Sequence, residues 1–368
     1  MSQMQIAESP GFAGLGRFGK GKIRAGFHPY TYVRTNVMRT FLLKKEEYHK
    51  LLKMSFNEIV KYLQDSTYRN DIDRLATGYS GPDLLEAALN ENLRSTFSKL
   101  RRISSEELNL VISQYLKRYD IEDLKTALRG RYTGSDAASV RIALVGAGSM
   151  SVEELSKLAE IQSVEDIIRR QRIVDIVNLS QALNEFKENN TLIPIENALD
   201  RAYYNELISF ARRLSTDGNL MKEFLLNEIE IKNVLALMRL KRENLDSKRI
   251  AEYMVFSDDA AKRFWEVLLN ITDISDMAKK LEKKDYGHVI RKGMESLKEN
   301  NSMIELETGL YAYLLRKSIS LVHRNILSVD VILGYMFAKE IEIRNLRILL
   351  KGKQLGLEEE FIERQLVV

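Results

Sequence analysis

The sequence contains no cysteine. That excludes a disulfide framework, a thiol nucleophile and any cysteine-ligated metal, and it suits a reducing compartment. Proline is scarce, at four residues in 368 (Pro10, Pro29, Pro82 and Pro194). All-β domains use more turn punctuation than this, so the expectation moves to helix. The four histidines, His28, His49, His288 and His323, include no pair three or four apart, which argues against a histidine-rich zinc site. Charge of one sign is also lacking. Lys plus Arg is 56 against 52 Asp plus Glu, a net of +4, too small over this length to point to nucleic acid. Long apolar runs are missing as well. The longest stretch without a charged residue, Ile142–Val152, is glycine-broken and well short of the ~18 residues of a membrane span. The opening MSQMQIAESPGFAG has no apolar core segment of the kind a signal peptide needs.

What is present is an ordinary globular balance, 45% hydrophobic and 29% charged. Residues 1–29 are glycine-rich and basic and are expected to form a flexible tail, with order starting near Tyr30. Helical periodicity dominates from there. Leu108, Val111, Ile112, Tyr115 and Tyr119 share one face, as do Tyr203, Leu207, Phe210 and Leu214. Ser80-Gly81-Pro82, Ser104-Ser105-Glu106-Glu107, Ser151-Val152-Glu153-Glu154 and Ser163-Val164-Glu165-Asp166 read as helix starts, the last as a capping box. Gly130–Ser139, Gly146–Ser151, Glu188–Thr191, Thr216–Asn219 and Glu299–Ser302 read as loops.

The informative feature is repetition. Asp120-Ile121-x-Asp123-Leu124, Glu230-Ile231-x-Asn233-Val234 and Glu342-Ile343-x-Asn345-Leu346 each run on to Leu128, Met238 or Leu350. Each then reaches a basic-x-basic end: Arg129 and Arg131, Arg239 and Lys241, Lys351 and Lys353. The anchors lie 110 and 112 residues apart. A second marker keeps the register: Glu86-x-Ala88-Leu89, Glu196-x-Ala198-Leu199 and Glu307-x-Gly309-Leu310. Two markers with a shared spacing predict three related helical bundles. The boundaries are a tail over 1–29 and repeats over 30–145, 146–255 and 256–368. In this reading the acids open three helices and the bases close them, which suits the dipole. The stripe at 121, 124 and 128 is core, and the small residue at 88, 198 and 309 lets two helices approach.

No catalytic, cofactor or metal site emerges. Gly14-x-Gly16-x-x-Gly19 fits a dinucleotide fingerprint, but no strand precedes it and coil follows. Gly146-Ala147-Gly148-Ser149 lacks the third glycine and the Walker lysine. Glu228 and Glu230 recur as Glu340 and Glu342, ahead of the same kind of helix, which marks architecture rather than a single acid–base pair. His323 reads as an ordinary histidine on an apolar helix, and Arg169-Arg170-x-Arg172 as a solvated face. Trp265, Phe256 and Phe264 read as core on one helix. Val329–Phe337 reads as a buried helix, with an apolar surface facing another protein as the rival.

Tyr30-Thr31-Tyr32-Val33-Arg34-Thr35-Asn36-Val37-Met38-Arg39, then Leu42-Leu43, Tyr48 and Leu51-Leu52, resembles the opening helices of the C subunit family of the A-type/V-type rotary ATPases, whose eukaryotic counterpart is the d subunit of V-ATPase. Tyr62-Leu63-Gln64-Asp65-Ser66-Thr67-Tyr68 is similar to the next signature. The paired glutamates before Asn233 and Asn345 are similar to a repeated acid-rich helix start; the first copy departs from it with Asp123. The resemblance covers the chain from Tyr30.

It implies an all-α fold of three pseudo-repeated bundles arranged with pseudo-threefold symmetry as a funnel. It further implies a non-catalytic socket on the cytoplasmic side of the membrane, joining the D and F subunits of the central shaft to the membrane rotor ring of proteolipids. No membrane span, nucleic acid, cofactor or small-molecule substrate belongs to that picture. Arg129, Arg131, Arg239, Lys241, Lys351 and Lys353 are then candidates for partner binding around one mouth, the plain alternative being helix-end charges that serve the dipole alone. Two other functions compete: a helical scaffold binding peptide or protein partners along a groove, and an enzyme using the glycine-rich tail or a carboxylate pair.

Overall fold

The computed structural model describes residues 27–215, 219–324 and 329–368. The Gly14–Gly19 motif, most of the Thr216–Asn219 loop and the side chains of His323 and Asp330 lie outside what is described. The described residues form helices and no β-strand.

Four short helices come first: α1 (Pro29–Arg39), α2 (Lys45–Leu52), α3 (Phe56–Gln64) and α4 (Arg69–Leu75). The long pair α5 (Gly81–Arg102) and α6 (Glu106–Thr133) follows. Then come α7 (Ala137–Ala143), α8 (Val152–Ala159), α9 (Val164–Arg170), a 3-10 turn (Ile176–Leu179) and α10 (Ser180–Asn189), before a second long pair, α11 (Ile193–Arg213) and α12 (Asn219–Arg242). The pattern continues with α13 (Ser247–Glu252), α14 (Asp259–Leu269), α15 (Ile274–Leu281) and α16 (Gly287–Asn300). The third pair is α17 (Ile304–Arg324) and α18 (Val329–Gln354), and α19 (Glu359–Glu363) closes the chain.

Local chemistry explains the punctuation. Pro29, Pro82 and Pro194 all sit in the first two positions of a helix (α1, α5 and α11), where a missing N–H costs nothing. Ser55 with Glu58 and Ser151 with Glu154 form reciprocal capping boxes. Ser163 makes only the single cap bond, to the Asp166 amide at 3.1 Å, because the aspartate is one methylene too short to reach back. Asn190 and Asn301 stop α10 and α16 in the left-handed region, at φ 46° and 51°.

The expected core stripe is buried in all three copies: Ile121, Leu124 and Leu128; Ile231, Val234 and Met238; Ile343, Leu346 and Leu350. Ala88 and Ala198 are buried beside it. A Cβ built on Gly309 would stand 2.6 Å from Val289 Cγ1, so α16 and α17 touch at a position that requires glycine. Trp265 is buried on α14 with Phe264 edge-on at 5.4 Å. Phe256 lies before that helix rather than on it. The apolar start of α18 is buried from Val331 to Phe337, as the plain reading expects.

Two further local expectations fail. Asp120, Glu230 and Glu342 do not open helices; they lie mid-way along α6, α12 and α18. No glycine or proline separates the periodic run 108–119 from the segment after it, so one hydrogen-bonded ladder continues through both. The stretch Gly130–Ser139 is likewise mostly helical, α6 running to Thr133 and α7 starting at Ala137.

Candidate functional site

Three positions in the middle of the long helices meet. Arg118 on α6, Glu228 on α12 and Glu340 on α18 stand at the same place in the repeat register. Arg118 forks onto Glu228, with Nη1 donating to Oε1 at 2.8 Å and Nη2 to Oε2 at 3.0 Å, across 110 residues of sequence. Nη1 also reaches Glu340 Oε2 at 3.4 Å. The Tyr115 and Tyr119 hydroxyls donate to the two Glu340 oxygens at 2.9 and 3.0 Å. The guanidinium lies 3.6 Å from the Tyr115 ring centroid, and the Tyr203 hydroxyl donates to the Tyr115 carbonyl at 3.4 Å. The side chains of Arg118, Glu228 and Glu340 are 15%, 4% and 15% exposed.

One cation thus sits among two carboxylates in a nearly dry place. Burial works against the Arg118 charge, and Glu228 with the neighbouring tyrosines and Glu340 overrides it, holding its pKa well above the ordinary value. Burial, aided by Glu228, pushes the Glu340 carboxyl up, although Arg118 and the two tyrosines oppose it. A bidentate, hydrogen-bonded arginine is the arrangement that makes buried charge tolerable. The triad is a fastener between three helices.

A second set of equivalent residues fastens each long helix to the chain 22 residues further on. Asn233 accepts from the Val255 amide at 3.0 Å and donates to its carbonyl at 2.7 Å. Asn345 does the same with Val367, at 2.9 and 2.7 Å. Asp123, which has no donor, accepts from the Val145 and Gly146 amides, both at 2.8 Å. Burial, which outweighs those two amides, pushes the Asp123 carboxyl up to about 7. Glu342 gathers the Tyr68 hydroxyl (2.6 Å), the Lys339 ammonium (2.6 Å) and the Leu43 amide (2.6 Å), tying α18 to the first helices of the chain. Asp120 holds the Ser149 and Met150 amides of the Gly146–Ser151 loop. These carboxylates are structural, consistent with their recurrence in the sequence.

The six basic helix-end residues divide. Arg129 makes a two-pronged pair with Glu196 at 2.7 and 2.8 Å, and Arg239 does so with Glu307 at 2.8 and 2.7 Å. Lys351 does not meet Glu86. Arg347, one turn earlier, takes that place at 2.7 Å. Lys241 donates to the Leu269 carbonyl at 2.7 Å, and Lys353 pairs with Glu359 at 3.0 Å. Arg131 and Lys351 are exposed, with no ion pair among the described residues. None of the six shares a partner with another.

Sequence reading missed Arg118 and Arg347. The signal for Arg118 was available: applying the 110- and 112-residue offsets two positions before Asp120 sets Arg118 beside Glu228 and Glu340. Among the described residues no group of His, Asp or Glu could hold a metal ion, and no helix is long and apolar enough to cross a membrane.

The family described as ATP synthase (C/AC39) subunit matches residues 31–365. The chain belongs to this family. Every residue of the triad, together with the Asp123 and Asn233 clamps and the inter-helix ion pairs, falls inside the matched span. Among relatives named as the C subunit of A-type ATP synthase, that of Methanococcoides burtonii is 37% identical, covering 93% of this chain and 94% of its own length. That of Methanosarcina barkeri is 35% identical, with 93% of each chain covered. The Halobacterium salinarum protein is 31% identical over 93% of this chain and 97% of its own. For a member of the C/AC39 family, the polar contacts above are the framework that holds the long helices together.

Proposed function

We propose that this protein is a non-catalytic central-stalk component of an A-type/V-type rotary ATP synthase or ATPase. In that role it is a socket between the D and F subunits of the shaft and the membrane rotor ring, peripheral on the cytoplasmic face, and it passes torque between ATP turnover and proton or sodium ion transport. The fold that goes with the role is a funnel of three pseudo-equivalent bundles over 30–145, 146–255 and 256–368.

One observation carries the reading: the inter-helix ion pairs form a cycle. Arg129 of the first stretch holds Glu196 of the second, Arg239 of the second holds Glu307 of the third, and Arg347 of the third returns to Glu86 of the first. The side-chain clamps end at Val145, Val255 and Val367, beside the proposed boundaries. A rotor element must transmit force with little yielding, and dense packing with a central arginine fork supplies stiffness. The peptide-binding scaffold is the second reading. An open superhelix would leave its first and last units unpartnered, whereas here α18 packs on α1, α3 and α5.

The relatives' shared name supports membership of an ATP synthase. Arg131 and Lys351, the two basic helix-end residues that are exposed and make no ion pair or side-chain hydrogen bond among the described residues, are the ones we assign to partner contact at the funnel mouth. The test is affinity purification of the tagged protein followed by cross-linking. Recovery with a rotary ATPase and a cross-link to the shaft is expected. Recovery only with unrelated complexes overturns the proposal. Because the chain has no cysteine, Glu86→Cys with Arg347→Cys and a short bis-maleimide reads out closure of first onto last; failure to link would favour the open scaffold.

A further inference from the structure

We propose that the groove bordered by α1, α4, α5 and α18 is a docking site for an acidic, partly apolar segment of another protein of the assembly; this deepens the function proposed above and rests on it. The first observation is that α1 is apolar on two opposite faces. One buries Tyr32 against the rest of the fold. The other carries Tyr30, Val33, Val37 and, just past the helix end, Phe41, which are 64%, 55%, 51% and 62% exposed. Spacings of three, four and four residues put these four on one stripe. Scattered exposed hydrophobics need no explanation, but a stripe along one helix does.

The second observation is charge. Val37 and Phe41 form one wall of a groove of about 590 Å³, and Arg34, Lys99 and Arg102 stand around it. All three cations are exposed and make no ion pair among the described residues. The fourth cation at the groove, Lys339, is already neutralised by Glu342 at 2.6 Å. The groove's one carboxylate, Asp71, is 8% exposed, accepts from Asn92 Nδ2 at 2.8 Å and faces Arg74 at 3.6 Å. The surface therefore offers unpaired positive charge beside exposed apolar side chains.

Carboxylates flanking an apolar residue fit this arrangement. A second copy docking through the same face does not, because it would bring the same three cations face to face. A bilayer surface would suit the convex stripe of a basic amphipathic helix, but it would not enter a recess bordered by α4 and α5.

The experiment uses the full-length protein in the complex it assembles into. A photo-reactive phenylalanine analogue replaces Val37 or Phe41, with exposed Val177 as the control position. After irradiation, cross-linked peptides are identified by mass spectrometry. A cross-link from 37 and 41, absent from 177, to a segment of another protein rich in Asp or Glu is expected. Arg34→Glu with Arg102→Glu should lower incorporation into the complex about tenfold, as loss of two charge contacts does, and the milder Arg34→Gln with Lys99→Gln should lower it less. Both variants should keep the wild-type melting temperature, since these side chains are exposed.

No cross-link from a protein that is present in the complex overturns the inference. So does a cross-link to a second copy, to a neutral or basic segment, or to lipid. Sedimentation with phosphatidylglycerol vesicles that is abolished by Val37→Asp would also overturn it, in favour of a membrane contact. Absence of the protein from every rotary ATPase would instead remove the proposed function itself, and this inference with it.

Discussion

Replacing Arg118 by methionine keeps most of the side-chain bulk and removes the charge and five donors. Glu228 and Glu340 would then face each other in a place where both are at most 15% exposed, with no cation between them. At an effective dielectric near 20, one charge pair at about 4 Å is worth roughly 4 kcal/mol. Breaking a buried pair from one side typically costs about 3–5 kcal/mol. We therefore expect Arg118→Met to destabilise the protein by about 3–5 kcal/mol at pH 8, measured by urea unfolding followed by far-UV circular dichroism. The sign with pH follows. Burial and the Glu228 charge already push the Glu340 carboxyl up, and losing Arg118 removes what opposes them, so the variant's folded state binds protons more tightly. Its stability should rise as pH falls toward the carboxylate range and be lost as pH climbs. Adding Glu228→Gln and Glu340→Gln should recover most of the deficit, since neutral amides end the repulsion. A deficit below about 1 kcal/mol, or no recovery in the triple variant, would refute the view that the three helices are fastened by this charge cluster.

Other predictions concern the clamps and the core. Leu128→Ala, Met238→Ala and Leu350→Ala should each cost about 2–5 kcal/mol in denaturant unfolding, as truncations of buried side chains do, and neutrality in all three would remove this stripe from the core. Asp123 titrates near 3.8 when unfolded and about 7 when folded, so its contribution is greatest at low pH and is lost as pH rises toward 7, by up to roughly 4 kcal/mol. Asp123→Asn should flatten that part of the stability–pH curve, and an unchanged slope would contradict the assignment. Gly309→Val should destabilise by about 1–3 kcal/mol through collision with Val289, whereas a neutral result would mean that α16 and α17 separate freely.

The helical class and the core stripe were legible because they depend on local chemistry that recurs three times in the sequence. Chance does not reproduce Ile121, Ile231 and Ile343 at one spacing with Leu128, Met238 and Leu350 behind them. Helix boundaries were less legible. Asp120, Glu230 and Glu342 look like first-turn acids, but what fixes them is tertiary: Asp120 and Glu342 are buried and bind backbone amides from elsewhere in the chain. The basic helix ends illustrate the same limit. Arg129 and Arg239 each pair with a glutamate of the other repeat marker, which neither reading of these residues anticipated. Lys351 was displaced by Arg347 because the α18 face turned toward Glu86 lies one turn earlier. Which residue of a helix meets a neighbour is set by rotation about its axis, and a motif does not record that angle.

The seam between the ends of the chain bears on how the protein is made. Helices α1 and α3 rest on α18 and α2 on α19, with His49 against Glu363 at 3.1 Å and the Leu43 amide on Glu342. A ribosome delivers these partners some three hundred residues apart. The first helices must therefore wait, with apolar surface bare, until almost the whole polypeptide has emerged, while the helices between can pack as they appear. Closure is thus the last event of synthesis, and a message truncated before α18 would yield a product with an open seam, a ready target for chaperones and proteases.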